Sequence, residues 1–524
     1  MKKVLLFIIL LRPVLTNAQR ERLGNHEIKT DRKGNIISWY SNEPGKAWSH
    51  VVQLVWHFWD TMRTDVNGLP YYMNHQVWRQ GIDDPRGIGG DQFSMALSSW
   101  RLLYEFTGDE RIKQNMTFII DYYLSHSLSP SNASWPDIPY PYNTLVLSGV
   151  YDGDMILGKD FSQPDKAASF AWQLLQFYKM VTPPDFPRGT EKHYLRSAVD
   201  IANTLANHVK EGDADNSPLP FKVNAITGET GRLQNNNGNG TEVGLSSYTT
   251  NWSSSLELFE ALRKMKVGDT IAYKKAFDII LKWMIRYPLQ NNKWGPFFED
   301  VPGFSNTQIN AITFARYIMM HRQYFPDWNQ QVKRIIQWVH QTLGNKTWQK
   351  YGVFVTNEQT AYMVPGNSHS SREASTELEY MALTGDTEYL PNAVRELNWA
   401  TYMVDADGKN RYPHDDYWLT DGYGDYVRHF LRAMAAKPEL APEDENHLLS
   451  TTSVVQSIGY TKNIHYTTWD SAGKEVFRLR QRPANIFFDG KIPASNESLQ
   501  WKALNKGGIL VIKRTKNRNV TIDF

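Results

Sequence analysis

Residues 410–430, NRYPHDDYWLTDGYGDYVRHF, gather four aspartates among tyrosines and Trp418, just before an apolar helical run. Asp421 and Asp425 stand four apart. On one helix they would share a face, and their repulsion would raise one pKa enough to make an acid catalyst. Cleavage of a glycosidic bond needs such a carboxyl pair, one group as acid and the other as base or nucleophile. Asp91, at the end of NHQVWRQGIDDPRGIGGDQ, and Asp152 and Asp154, in VYDGDM, are further candidates. Each also has a plainer reading: Asp91 as a helix cap, Asp152 and Asp154 as turn-formers or cation ligands.

A second chemistry is written in NEQTAYMVPGNSHSSRE, residues 357–373. Abstraction of the proton beside a uronate carboxylate needs a base, often His or Tyr, and a group that neutralises the growing enolate charge. His369 and Tyr362 are the candidate bases; Asn367 and Arg372 are the candidate neutralisers. A polar helix start capped by Ser370 or Ser371 is the competing reading. Arg79, Arg86, Lys409 and Arg411 lie on comparable loops and favour an acidic ligand, because guanidinium groups bind carboxylates bidentately. Trp78, Trp135, Trp252, Trp294, Tyr417 and Trp418 are candidate stacking platforms for sugar rings. Trp283, Trp338 and Trp399 recur at similar places in second helices and read as core.

These residues must be positioned by something, and the chain shows what. An apolar helix, a turn with Gly-Asp or Pro-Asp, and a second helix recur at 102–123, 261–284, 321–340 and 380–400, with a stretched version at 174–205. Glycine stops one helix and aspartate caps the next. A sixth pair combines Trp48–Met62 with Gly424–Ala436. The tight turns fall at one rim. The connections between hairpins, near 64–90, 127–164, 212–250, 288–307, 344–370 and 404–423, are long and fall at the other. Long loops in a compact domain usually carry function, and every candidate above except Asp425 sits on or beside one.

Six such hairpins, over about residues 44–436, resemble the (α/α)6 toroid of the six-hairpin glycosidase-like superfamily. The resemblance rests on the turns of Gly108-Asp109, Gly268-Asp269 and Gly385-Asp386, which mark fold and not catalysis. It implies a mainly α chain, a toroid over 19–440, and a carbohydrate-active enzyme whose cleft lies on the elaborated rim. Hydrolysis of a uronate-containing poly- or oligosaccharide is the leading expectation. A uronide lyase, an epimerase on the same scaffold, and a non-catalytic glycan-binding protein are the alternatives. After AKPELAPEDEN the pattern turns to alternating apolar and polar residues, which predicts a small antiparallel β domain over 451–524, sandwich-like, bracing the toroid.

Composition bounds the rest. The 524 residues carry 57 Lys+Arg against 55 Asp+Glu, which argues against a nucleic-acid partner. There is no cysteine, which removes disulfides and thiolate chemistry. The start, MKKVLLFIILLRPVLTNAQ, reads as a signal peptide over 1–18, hence a secreted or periplasmic protein with no membrane span. DGDM and GDADN do not complete a calcium loop, and His-Glu-x-x-His, phosphate-loop and Gly-x-Ser-x-Gly patterns are missing, so no metal or cofactor is expected.

Overall fold

The three Gly-Asp turns form as their residues dictate. Gly108, Gly268 and Gly385 adopt left-handed φ of 68°, 73° and 78°; Gly108 and Gly385 directly follow the first helix, and Gly268 follows a helix already ended by Lys266 at φ 58°. Asp109 then accepts from the backbone N–H of Arg111, and Asp269 from those of Ile271 and Ala272. Asp386 accepts from Glu388 N–H at 3.0 Å. A computed structural model describes residues 21–73, 78–79, 82–83, 90–145, 148–183, 192–235, 242–297, 304–411, 423–493 and 498–524. The leader segment 1–18, Arg86, Tyr417, Trp418 and Asp421 lie outside the described residues.

The long helices are α1 (Pro44–Asp60), α2 (Gly90–Thr107), α3 (Glu110–His126), α4 (Pro164–Val181), α5 (Lys192–His208) and α6 (Ser253–Met265). They continue as α7 (Thr270–Arg286), α8 (Gln308–Met320), α9 (Trp328–Leu343), α10 (Asn367–Thr384), α11 (Leu390–Thr401) and α12 (Tyr423–Ala436). The even-numbered helices form an inner ring: α2 packs on α4, α4 on α6, α6 on α8, α8 on α10, α10 on α12, and α12 on α2. The odd-numbered helices lie outside. α1 packs against α12, so the first and last helices make the sixth hairpin and close the ring. The chain is an (α/α)6 toroid.

Inner and outer helices differ in pattern. Outer α9 buries Val332, Ile335, Ile336, Val339 and Leu343, one stripe at helical spacing. Inner α10 buries every residue from Asn367 to Leu378, although nearly all are polar. Trp283 and Trp399 are core, as their places in second helices predict, and Trp338 is partly buried against it. Among the described residues no helix is long and apolar enough to cross a membrane.

Beyond α12 come eight strands: β1 (His447–Thr451), β2 (Val455–Tyr460), β3 (Ile464–Thr468), β4 (Gly473–Leu479), β5 (Asn485–Phe488), β6 (Leu499–Ala503), β7 (Gly508–Arg514) and β8 (Asn519–Asp523). They form two antiparallel sheets, ordered β1-β4-β7-β6 and β2-β3-β8-β5. Tyr466 of one sheet meets Phe477 of the other with ring centroids 5.5 Å apart, and a buried Arg514–Glu475 pair at 2.7 Å lies beside them. The strands pack on α2, α4 and α12. His447 stacks on Phe106 at 3.6 Å, and Leu449, Ser450 and Thr451 border the space at the toroid axis.

Candidate active site

The long connections put the N-terminal ends of all six inner helices at one rim. Their first turns carry polar residues toward a common axis. From α4 come Asp165 and Lys166, from α8 Gln308, from α10 His369 and Arg372, and from α12 Asp425, Arg428 and His429; all but Arg428 are buried. Helices α2 and α12 approach closely at Gly424, where a Cβ would stand 2.3 Å from the Ala96 Cα. Only glycine permits that approach.

The groups are wired together. Arg372 donates through Nη1 to Gln308 Oε1 at 2.9 Å, and Gln308 Nε2 donates to the His369 carbonyl at 2.9 Å. The other Nη of Arg372 and one Nη of Arg428 both hold the Asp425 carboxylate. Arg428 also donates to Ser98 Oγ at 2.8 Å. His429 Nε2 lies 3.1 Å from Asp425 Oδ1, so its proton sits on Nε2 and Nδ1 is the basic nitrogen. Burial, then the charge of Arg372, holds His369 well below the ordinary imidazole pKa. Burial, then Arg372, Arg428, Arg432 and Arg316, does the same to His429. Two neutral imidazoles on adjacent inner helices therefore share Arg372 as a cationic neighbour.

Two spaces that share Arg428 as a wall lie along the axis. One, of about 320 Å³, is walled by Arg101, Glu257, Arg316, Arg372, Glu379, Arg428, His429 and Arg432, and by β1 at its far end. The other, of about 60 Å³, lies against Met95, Lys166, Asn251, Phe297 and again Arg428. Lys166 is buried, 3.1 Å from Asp165 and 2.7 Å from the Phe297 carbonyl, and Asn251 donates to the same Asp165 at 2.9 Å.

The sequence candidates divide on this map. His369, Arg372 and Asp425 converge on the axis. Asn367 opens α10 with its amide on Asn410. Tyr362, on the ribbon that precedes α10, is 40% exposed. Asp91 lies in the first turn of α2, and Trp78 and Arg79 in a two-residue ribbon with Ile82 and Asp83; their side chains lie outside the described residues. Arg411 is committed to Asp405 at 2.5 Å.

Several expectations are corrected. Asp154 is fully buried and pairs with Lys222 at 2.8 Å, so it anchors a loop and cannot meet a substrate. Asp152 accepts from Thr144 N–H and Oγ1 at 2.8 and 2.9 Å, which is a turn-forming role. Trp252 and Trp294 are 0% exposed and belong to the core, and Trp135 is buried against His208, so none is a platform. Asp425 meets two guanidinium groups, and Asp421, its expected like-charged neighbour, lies outside the described residues. Gln308, Lys166, Arg428 and His429 were not singled out by sequence reasoning. Arg428 and His429 stand inside the stretch that drew attention to the aspartates. The signal available was position: polar residues one turn into a helix that the repeat assigns to the inner ring.

No family model and no curated protein matches the sequence. Solved structures do match. A cellobiose 2-epimerase from Spirochaeta thermophila aligns with TM-score 0.54 and 12% identity, covering 76% of this chain and 98% of that one. A D-mannose isomerase aligns with TM-score 0.52 and 10% identity, covering 75% and 99%. A sugar epimerase from a ruminal bacterium gives 0.51 and 13%, covering 74% and 98%. At these identities the likeness is one of fold.

Proposed function

We propose that this chain, which has the fold of the six-hairpin glycosidase-like superfamily, is a carbohydrate-active enzyme that moves a proton at a sugar carbon beside a carbonyl or carboxylate. The observation that carries this reading is the axial pair of neutral imidazoles, His369 and His429, grouped around Arg372. Both are unprotonated at neutral pH, the state a general base needs before it accepts a proton. Asp425 orients His429 through Nε2–H, leaving Nδ1 to take the proton. His429 is the wall group on the larger space; His369, on α10 one turn before Arg372, is the second acid–base group. Arg372 stabilises the negative charge that grows on the substrate oxygen. Return of the proton to the opposite face gives an epimer. Loss of the substituent on the next carbon gives an unsaturated sugar. Arg316, Arg428 and Arg432 around a space of about 320 Å³ support an acidic sugar as ligand. Secretion, inferred from residues 1–18, fits an extracellular or periplasmic glycan as the source.

Glycoside hydrolysis is the second reading, and one placement favours it. Asp91 lies in the first turn of α2, at the rim that carries the long connections. Asp425, Asp165 and Asp154 are each committed to a cation and do not serve it.

The test is incubation with reducing oligosaccharides and uronides in D2O, followed by proton NMR, reducing-end assay and ultraviolet absorbance. Deuterium uptake at a ring carbon without cleavage indicates epimerisation. Cleavage with the absorbance of an unsaturated uronate indicates elimination. Either should fall by roughly 10²–10⁴ in His429→Ala and His369→Ala. New reducing ends with neither deuterium uptake nor absorbance would overturn proton transfer and send mutagenesis to Asp91 and Asp421.

A further inference from the structure

Away from the axis, between α9, α10 and α11, lies a group of side chains that the sugar chemistry does not use. His340 comes from the last turn of α9, Glu373 and Glu377 from one face of α10, and Glu396 from α11. The three glutamates are at most 1% exposed. His340 Nε2 lies 3.1 Å from Glu373 Oε1 and 3.1 Å from Glu377 Oε1, and the three ligand atoms all lie within 4.8 Å of one another.

Apart from these two contacts with His340, the four oxygens of Glu373 and Glu377 meet no hydrogen-bond donor. The imidazole nitrogen faces the gap between two carboxylates. Glu396 has only Asn392 Nδ2, at 3.4 Å, on one oxygen and no partner on the other. Two buried carboxylates therefore face one imidazole, with a third, Glu396, near them. Among the groups acting most strongly on Glu377 and Glu396 there is no lysine or arginine, only His340 and other glutamates. An uncompensated buried charge is costly, and buried charges are normally paired or bound to metal.

We propose that His340, Glu373 and Glu377 hold a divalent first-row ion of the zinc or manganese class. Such an ion neutralises the two carboxylates, and one imidazole with carboxylate oxygens is a donor set suited to it. Calcium prefers oxygen ligands alone. With bonds of about 2.0–2.1 Å, the edges of a tetrahedral site measure roughly 3.3 Å, close to the 3.1 Å between the imidazole and each carboxylate. The His340 ring is 25% exposed, so the group lies one side chain from the surface. Thr376 and Glu379 of α10 border the axial space, whereas Glu373 and Glu377 do not. The ion is therefore a structural tie. It fastens outer α9 to inner α10 at the residue following Arg372.

The test uses the full chain, stripped with a chelator, dialysed against Zn2+ or Mn2+, and analysed by elemental mass spectrometry and thermal melting. About one ion per chain and a raised melting midpoint are expected. His340→Ala and Glu377→Gln should each lose the ion while keeping the helical circular dichroism. No retained ion in the wild type, uptake of Ca2+ alone, or full retention in both variants would overturn the proposal. If the variants do not fold, X-ray absorption of the zinc-loaded wild type decides. A nitrogen and oxygen shell with one imidazole supports the site, and a shell with two or more imidazoles overturns it.

Discussion

Asp154→Asn tests whether the aspartates of VYDGDM do chemistry or hold the fold. Asp154 takes the Lys222 ammonium at 2.8 and 3.0 Å, Gln163 Nε2 at 2.6 Å, and the N–H groups of Ile156 and Leu157 at 2.9 Å each. Asparagine keeps an oxygen for the two backbone donors. Its NH2 then faces the Gln163 amide and a fully buried ammonium, donor against donor. Breaking a buried ion pair while leaving one charge behind costs about 3–5 kcal/mol. Melting entropy is roughly 2.1 cal/mol/K per residue, so a cooperative unit of about 400 residues shifts roughly 1 °C per kcal/mol. The expected fall in melting midpoint is therefore about 4–6 °C, read by calorimetry or circular dichroism. Activity measured below the transition should stay within about threefold of wild type, because Asp154 touches no substrate. Asp154→Asn with Lys222→Met should cost far less than the sum of the two singles, since no unpaired charge remains. A variant that melts with the wild type and loses more than about a hundredfold in rate would refute this reasoning and restore Asp154 as a catalytic group.

Two further outcomes follow from the axis. His369 and His429 stay neutral in the fold but regain the ordinary value of 6.5 on unfolding, so the unfolded chain binds more protons below that pH. Stability should therefore fall with acidification, by about 1 kcal/mol per histidine between pH 6.5 and 5.5, while kcat/KM shows no ionisation near 6.5; a rate limb at 6.5 would show a solvated imidazole. Gly424→Ala places a Cβ 2.3 Å from the Ala96 Cα, so α2 and α12 must separate. A loss of about 1–3 kcal/mol by thermal melting and a drop in turnover are expected, and unchanged values for both would show that this approach is not needed.

The toroid was legible because its markers are local. A glycine that must adopt positive φ, followed by an aspartate that accepts from the next backbone N–H groups, announces three of the hairpins within a few residues. Closure of the ring by α1 and α12 was legible only because five hairpins left two helices unpaired. The site was legible in part. NSHSSRE revealed His369 and Arg372 through residue type, since an unbroken polar run beginning a helix is unusual. Asp154 misled for a physical reason: its partner, Lys222, lies 68 residues away, and no local pattern reveals that pairing. Trp252 and Trp294 misled because an aromatic ring looks the same in sequence whether it stacks on a sugar or fills a core. Arg428 and His429 escape a reading built on paired carboxylates, because they stand one helical turn beyond Asp425 and carry no such pair.

Helix α10 connects these points. From Asn367 to Leu378 it is buried throughout yet almost devoid of apolar side chains, so its burial cannot be driven by the hydrophobic effect alone. It must be held by the charges it meets: Asp425 and Gln308 on Arg372 toward the axis, and the His340 group on Glu373 and Glu377 elsewhere. Arg372 and Glu373 are adjacent, so both networks act on the same turn of the helix. A polar helix between two such networks is fixed in rotation more strictly than an apolar one, because a small turn unpairs charges on both sides at once. That constraint is what would place His369 and Arg372 reproducibly against a substrate. It also implies that damage to the His340 group reaches the axis through the helix, without any direct contact.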